Sequence, residues 1–351
     1  MTINTTGNVS LGGTEVGASV NLELGLAARA LITINDTTPR QLAGKPTTRS
    51  QISFSDFRGK IACISTNPDT GFYSPEPIPV AGDGYALSQL GAASSTSYVV
   101  ANRWIQYTVN GVGEGALGNG STGPGLKFAP AGNFSYGVDD YITPGTPWEA
   151  FAFEINGGAW YVGGSNTGGF GGTTNTWDVS ATGKRHIIVK RGSAGTGFAV
   201  IEYLSYDDDP MIRIKMSYTN TTASTVTVRA MRGMDPDPDV FAFDEYDSSN
   251  SRGFTGRVSA TDLVTGLGVN SGKPVSLYCP GNGYTHNTAI LASWPTYNIS
   301  AILSGQNDGY GDHAVLCAWN IGSVAPGATV KVNCFWICGN NLGDVLTQMC
   351  L

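Results

Sequence analysis

The acidic residues around position 237 have the types and spacing best suited to chemistry in this chain. Asp235, Asp237 and Asp239 alternate with Pro236 and Pro238, Asp207, Asp208 and Asp209 form an upstream loop, and Asp244, Glu245 and Asp247 follow. Prolines fix φ and stiffen a segment, so carboxylates two apart project from one side of an extended loop. Like charges held this close call for a counter-ion. A hard cation such as Ca²⁺, which takes roughly six to eight oxygen ligands, would supply it, with Asp235, Asp237 and Asp239 as the candidate ligands. The run lacks the central glycine and closing glutamate of an EF-hand loop. The plainer assignment has the aspartates capping turns and pairing with Arg229 or Arg232.

Other catalytic constellations are weak. Glycoside hydrolysis needs two carboxyl groups across a cleft, one with its pKa raised by burial, and nothing in the sequence marks a cleft. The coil-length repeats of a parallel β-helix are missing. No Gly-x-Ser-x-Gly elbow occurs, and His186, His286 and His313 stand apart from one another. The Gly168–Gly172 loop is followed by no Gly-Lys-Ser/Thr, so it is no phosphate cradle. These readings predict a binding or structural protein and no enzyme.

Aromatic residues offer a second kind of site. Trp148, Trp160, Tyr161 and Trp177 fall among Gly, Asn and Thr, where an exposed ring could stack on a pyranose face. Core packing is the competing role. Of the six cysteines, Cys334 and Cys338 share one face of a strand. Buried free thiols are one reading of this set. A disulfide among Cys317, Cys334 and Cys338, or one using Cys279, is the other. No Cys-x-x-Cys pair supports zinc.

The elements that must carry these residues read as strands. Phe198–Ser205, Met211–Thr219 and Thr225–Met231 alternate, separated by the turn sequences Asp207-Asp-Asp-Pro210 and Asn220-Thr-Thr-Ala223. Val275–Cys279, Ala289–Trp294, His313–Trp319 and Thr329–Cys338 continue the series, which predicts an antiparallel β-sandwich over 198–351. Residues 85–197 read as a Gly- and aromatic-rich β domain with strands in Tyr98–Val109, Trp148–Ile155, Gly158–Gly163 and His186–Arg191. Prolines between Asn67 and Gly84 mark 61–84 as a linker, and residues 1–60 form a small separate segment.

Bulk properties narrow the function classes. The chain has 351 residues, 48 of them glycine, and 13% are charged. Such low charge suits turn-rich all-β structure and a surface covered by neighbouring subunits. A formal net charge of −7 with no basic stripe argues against nucleic acid. No apolar run approaches a membrane span, and no secretory signal is visible at the start.

The first sixty residues repeat one phrase. Leu31-Ile-Thr-Ile-Asn-Asp36 closes with Arg40-Gln-Leu-Ala-Gly-Lys45, and Ser50-Gln-Ile-Ser-Phe-Ser-Asp56 closes with Phe57-Arg-Gly-Lys60. In each, an alternating apolar triplet leads to an aspartate that tips the chain into a turn. Units this small cannot bury a core, so they must lean on a partner or on the rest of the chain. The phrase resembles the N-terminal segments of tailed-bacteriophage virion proteins of the tail-fibre or tail-associated type. Met234-Asp-Pro-Asp-Pro-Asp239 and Trp319-Asn-Ile-Gly-Ser-Val-Ala-Pro-Gly327 resemble the large β-sandwich domains of bacterial and phage surface proteins.

The resemblance implies a virion component, a tail or collar fibre protein, whose N-terminus attaches to other virion proteins through Ile32, Ile34, Asp36, Ile52, Phe54, Asp56 and Phe57. It also implies a homo-oligomer, expected as a trimer, whose distal loops could touch a host surface glycan. A head-decoration or capsid-fibre protein is the structural alternative. A carbohydrate-binding or carbohydrate-cleaving module is the alternative from another class.

Overall fold

A computed structural model describes residues 97–109, 117–118, 124–129, 140–142, 148–164, 174–178, 185–194, 197–206, 210–293 and 296–349. The side chains of 159–164, 174–178, 185–194, 206 and 347 are outside that description. The expected attachment segment at 1–60, its residues Ile32 to Phe57 and the 61–84 linker also lie outside the described residues.

The chain is all-β, with antiparallel pairing throughout its named strands. A three-stranded sheet contains β1 (Tyr98–Ala101), β2 (Ile105–Val109) and β3 (Leu126–Phe128). A five-stranded sheet is ordered β14 (Thr285–Leu291), β15 (Ala314–Val324), β10 (Val226–Met234), β4 (Glu149–Ile155), β5 (Ala159–Gly164). An eight-stranded sheet runs β11 (Ser248–Arg252), β12 (Leu263–Gly268), β13 (Pro274–Tyr278), β16 (Thr329–Cys338), β9 (Met211–Asn220), β8 (Gly197–Tyr206), β7 (Arg185–Ala194), β6 (Thr174–Asp178). Three short helices complete the described elements: α1 (Val240–Phe243), α2 (Ile299–Ser304) and α3 (Leu342–Gln348).

Period-two alternation assigns the faces. Phe151, Phe153 and Ile155 of β4, Val228, Ala230 and Met234 of β10, and Val315, Cys317 and Trp319 of β15 join one core. From the eight-stranded sheet that core takes Ile212, Ile214 and Met216 of β9 and Val332, Cys334 and Trp336 of β16. The intervening residues of the five-stranded sheet face away. Ala150, Ala152, Met231, Ala314, Leu316 and Ala318 form a second cluster with Ile299 and Ile302 of α2. Small alanines there let the helix lie close. Gly233 leaves room for its cross-strand neighbour, because a Cβ on it would sit 2.8 Å from the Leu316 side chain of β15.

The expected boundary at 197/198 is absent. The β7–β8 hairpin crosses it with Ala194 opposite Gly197, and β4 pairs with β10 from Glu149–Met234 to Ile155–Val228. The described strands up to residue 345 belong to one compact unit, residues 81–345. Glycine-rich composition marked turns within this unit, not a change of domain.

Four buried polar side chains connect the two large sheets. Arg232 Nε lies 2.6 Å from Glu149 Oε1, and both side chains are fully buried. Trp336 Nε1 donates to the same Oε1 at 3.1 Å, while the Leu117 backbone N–H donates to Glu149 Oε2 at 2.8 Å. Arg232 Nη2 donates to the Tyr203 hydroxyl at 3.0 Å. Burial raises the Tyr203 pKa far beyond its usual value despite the adjacent guanidinium. Removing one member of a buried ion pair strands the other charge. Glu149→Ala is therefore expected to cost roughly 3–5 kcal/mol in chemical denaturation, and a loss below about 1 kcal/mol would disprove this role.

Candidate functional site

The candidate site lies where β10 ends. Central position in the five-stranded sheet fixes this exit from two sides, because Met234 is paired with Glu149 and with Val315. Beyond it, the Asp235 N–H donates to the Trp148 carbonyl at 3.0 Å and the Asp237 N–H to the Tyr141 carbonyl at 2.9 Å. Pro236 and Pro238 have no N–H to donate and hold the segment extended. Pro236 lies against Gly266 of β12 so closely that a Cβ there would meet its Cγ at 2.5 Å.

The second half comes from the segment before β15. Ser248 and Gly311 exchange backbone hydrogen bonds, both 3.1 Å long, and Asn250 Nδ2 donates to the Gly309 carbonyl at 3.1 Å. These contacts hold 309–312 beside the start of β11. Asp235 and Asp237 follow β10 and Asp312 precedes β15 at the strand ends that the Met234–Val315 pair brings together. One carboxylate oxygen from each of Asp235, Asp237 and Asp312 lies within 4.8 Å of the others.

Asp235 is 2% exposed and Asp237 3%. Neither Asp235 oxygen has a hydrogen-bond partner among the described residues, and Asp237 Oδ1 has none. Burial, then the Asp312 charge, pushes the Asp235 pKa up to about 8. Burial, then Asp235 and Asp312, pushes Asp237 up to about 9. The site can therefore hold protons at neutral pH or take a hard cation on an all-oxygen donor set.

Structure and sequence reading overlap on two of the three proposed ligands. Asp235 and Asp237 come together, but Asp239 does not join them. It is the residue preceding α1, and its carboxylate accepts the Asn270 N–H at 2.6 Å and the Ser271 N–H at 3.2 Å. Its αR backbone, with φ −110° and ψ −3°, ends the extended alternation. Asp312 was missed because it is remote in sequence, and only the β10–β15 register brings it in. Arg229 pairs with Glu154, and Arg232 with Glu149, so neither neutralises the cluster.

The other candidates are distributed elsewhere. Trp148 is 1% exposed, and its indole N–H reaches the Tyr297 hydroxyl at 3.4 Å, so it is a core residue and no glycan platform. Trp160 and Tyr161 lie on β5 and Trp177 on β6, with side chains outside the description. Cys317, Cys334 and Cys338 are buried free thiols, as is Cys279, so no disulfide joins them. His286 hydrogen-bonds Asp262 through Nε2. Burial works to raise the Asp262 pKa, but hydrogen bonds from His286 and Thr261 bring it below the ordinary value.

Sequence reasoning also passed over the rings beside the site. Phe241, Phe243 and Tyr246 are 50%, 52% and 43% exposed, and Tyr310 is 57% exposed. Phe241 and Phe243 sit on α1, Tyr246 follows that helix, and Tyr310 lies two residues before Asp312. The Tyr310 hydroxyl donates to Asp247, whose carboxylate raises its pKa. An exposed ring flanked by Asp244, Glu245 and Asp247 was the available signal.

No family model matches the chain, and no curated protein matches it in sequence. Solved structures do resemble it. A polysaccharide lyase superposes with a TM-score of 0.39 at 12% identity, covering 71% of this chain and 34% of its own. A bacterial glucoamylase in complex with acarbose gives 0.45 at 7% identity, covering 74% and 34%. A heparan sulfate lyase HepC mutant from Pedobacter heparinus gives 0.37 at 8%, covering 69% and 36%. The chain thus spans about a third of the length of each, and scores and identities this low assign no activity to it. They do correct one expectation. The prediction of no enzyme is not upheld, because the solved structures that resemble this chain include a polysaccharide lyase, a glucoamylase and a heparan sulfate lyase.

The raised carboxyl pKa values fix the sign of a pH effect. Their stabilising contribution is complete below the ordinary value of 3.8 and is lost as pH rises through about 8 and 9. In chelator, the melting temperature should fall between pH 5 and 9, and Asp235→Asn should flatten the fall. An equally steep profile in the variant would refute this assignment.

Proposed function

We propose that this protein is a structural component of a tailed-phage virion whose β-sandwich presents a glycan-contacting surface. The observation that carries the reading is the exposure of Phe241, Phe243, Tyr246 and Tyr310 on the segments leading from Asp239 and into Asp312. The other large apolar side chains exposed among the described residues are the single valines Val99 and Val269. Ring faces suit the C–H faces of a sugar, and the carboxylates of Asp244, Glu245 and Asp247 suit its hydroxyls. The repeated phrase at 31–60 supports attachment to other virion proteins, and the low charge content suits a subunit within a homo-oligomer.

Glycan-array binding followed by titration calorimetry tests the surface. Phe241→Ala and Tyr310→Ala should each weaken binding roughly tenfold, about 1.4 kcal/mol, with little change in melting temperature. Unchanged binding in both would remove these rings from the site. Reducing-sugar release from the bound polysaccharide, measured on the same preparation, separates binding from cleavage.

Immuno-electron microscopy of phage with an antibody to residues 198–351 tests the location. Label on tail, collar or head distinguishes a fibre from a decoration protein, and label on no particle would sink the virion reading. Deleting residues 1–60, which lie outside the 81–345 unit, should leave a folded protein that no longer joins particles. Incorporation of the truncated protein would place attachment elsewhere.

A further inference from the structure

We propose that Asp235, Asp237 and Asp312 bind one Ca²⁺ ion, which ties the segment leaving β10 to the segment entering β15.

The geometry fits a single ion. Oxygens bound to one Ca²⁺ at roughly 2.3–2.6 Å lie at most about 5 Å apart, and the three carboxylates supply oxygens within 4.8 Å of one another. The donor set contains no nitrogen or sulfur, which suits a hard cation and not zinc or copper. Its protein ligands come from two separate strand ends. Ca²⁺ accepts such irregular arrangements more readily than Mg²⁺, which demands a near-ideal octahedron.

The second observation is that Asp235 is buried inside this group without a partner. At 2% exposure, both its oxygens lack hydrogen bonds among the described residues. Among the described residues, the buried aspartates outside this group are provided for. Asp140, also 2% exposed, accepts the backbone N–H groups of Gly125, Leu126 and Ile142 at 3.0–3.3 Å. Asp239, fully buried, accepts those of Asn270 and Ser271. Beside Asp235 the neighbouring prolines offer no N–H, and Arg232 is committed to Glu149 and Tyr203. An unpaired buried carboxylate is costly, and a cation removes that cost.

This proposal stands apart from the glycan reading, since it concerns how the two segments are held. It is tested on the full chain by thermal melting in millimolar CaCl₂ against EGTA, and by Tb³⁺ luminescence excited through protein aromatics. Ca²⁺ at about a hundredfold excess over Kd should raise the melting temperature by roughly 5–10 °C. Tb³⁺ should luminesce on binding, because Trp148, an indole donor, is a backbone neighbour of Asp235 through its carbonyl bond to the Asp235 N–H, and Ca²⁺ should quench the signal by displacement. Asp235→Asn should abolish both responses and, in EGTA, melt no lower than the parent. If that variant fails to fold, Asp312→Asn should abolish them.

No shift and no luminescence in the parent protein would overturn the proposal. So would responses that persist in both variants, which would place the ion elsewhere. An equal or larger shift with MgCl₂ would overturn the choice of Ca²⁺.

Discussion

The ion pair between Glu149 and Arg232 constrains the rest of the sandwich. Two charges of opposite sign lie between the sheets with no access to water, which is tolerable because they pair with each other and hydrogen-bond to Trp336, Tyr203 and the Leu117 N–H. Glu149 comes from β4 and Arg232 from β10, so the pair fixes those strands side by side. Trp336 and Tyr203, from the eight-stranded sheet, then complete the set. Apolar contacts would permit some sliding between layers. Directional bonds to a shared carboxylate permit little, and they set the position of the β10 end beside Trp148.

From that end, the contrast within a few residues is informative. Arg232 has its carboxylate, its hydroxyl and flanking Phe151 and Tyr203 rings. Asp235 is almost as deeply buried, with neither oxygen hydrogen-bonded among the described residues. Both environments penalise charge by desolvation, but only the first compensates it within the chain. The raised pKa values of Asp235 and Asp237 follow from that difference: without compensation, a buried carboxyl keeps its proton well into neutral pH.

Much of the fold was legible because the long strands alternate. Thr329–Cys338 coincides with β16, and Met211–Thr219 differs from β9 by one residue. Both strands bury one face in the shared core, which imposes the period that the sequence displays. Ser248-Ser-Asn-Ser-Arg252 was not legible as β11, because it has no apolar residue and is held by pairing with β12 and bonds to Gly309 and Gly311. The short helices escaped for a related reason: α2 buries only Ile299 and Ile302, too few for a helical period. The carboxylate site was half legible. Local alternation exposed Asp235 and Asp237, but it wrongly extended to Asp239 and could not reach Asp312, whose place depends on tertiary register.

That register explains why the site forms at a sheet end. Within β10 the backbone pairs with β15 along the strand and with β4 from Val228 to Met234, and its apolar side chains are committed to one core or the other. Past Met234 the pairing stops, the neighbouring strands still hold the chain laterally, and side chains no longer need to fill a core. Asp235 and Asp237 therefore retain precise backbone positions without apolar neighbours to replace them. The next residues, from Val240 onward, leave the sheet altogether, and there the large side chains become exposed. A rigid strand end thus passes in a few residues from a buried polar group to a surface of aromatic rings. Between the two stands Asp239, whose bonds to the β12–β13 turn fix the base of the aromatic segment.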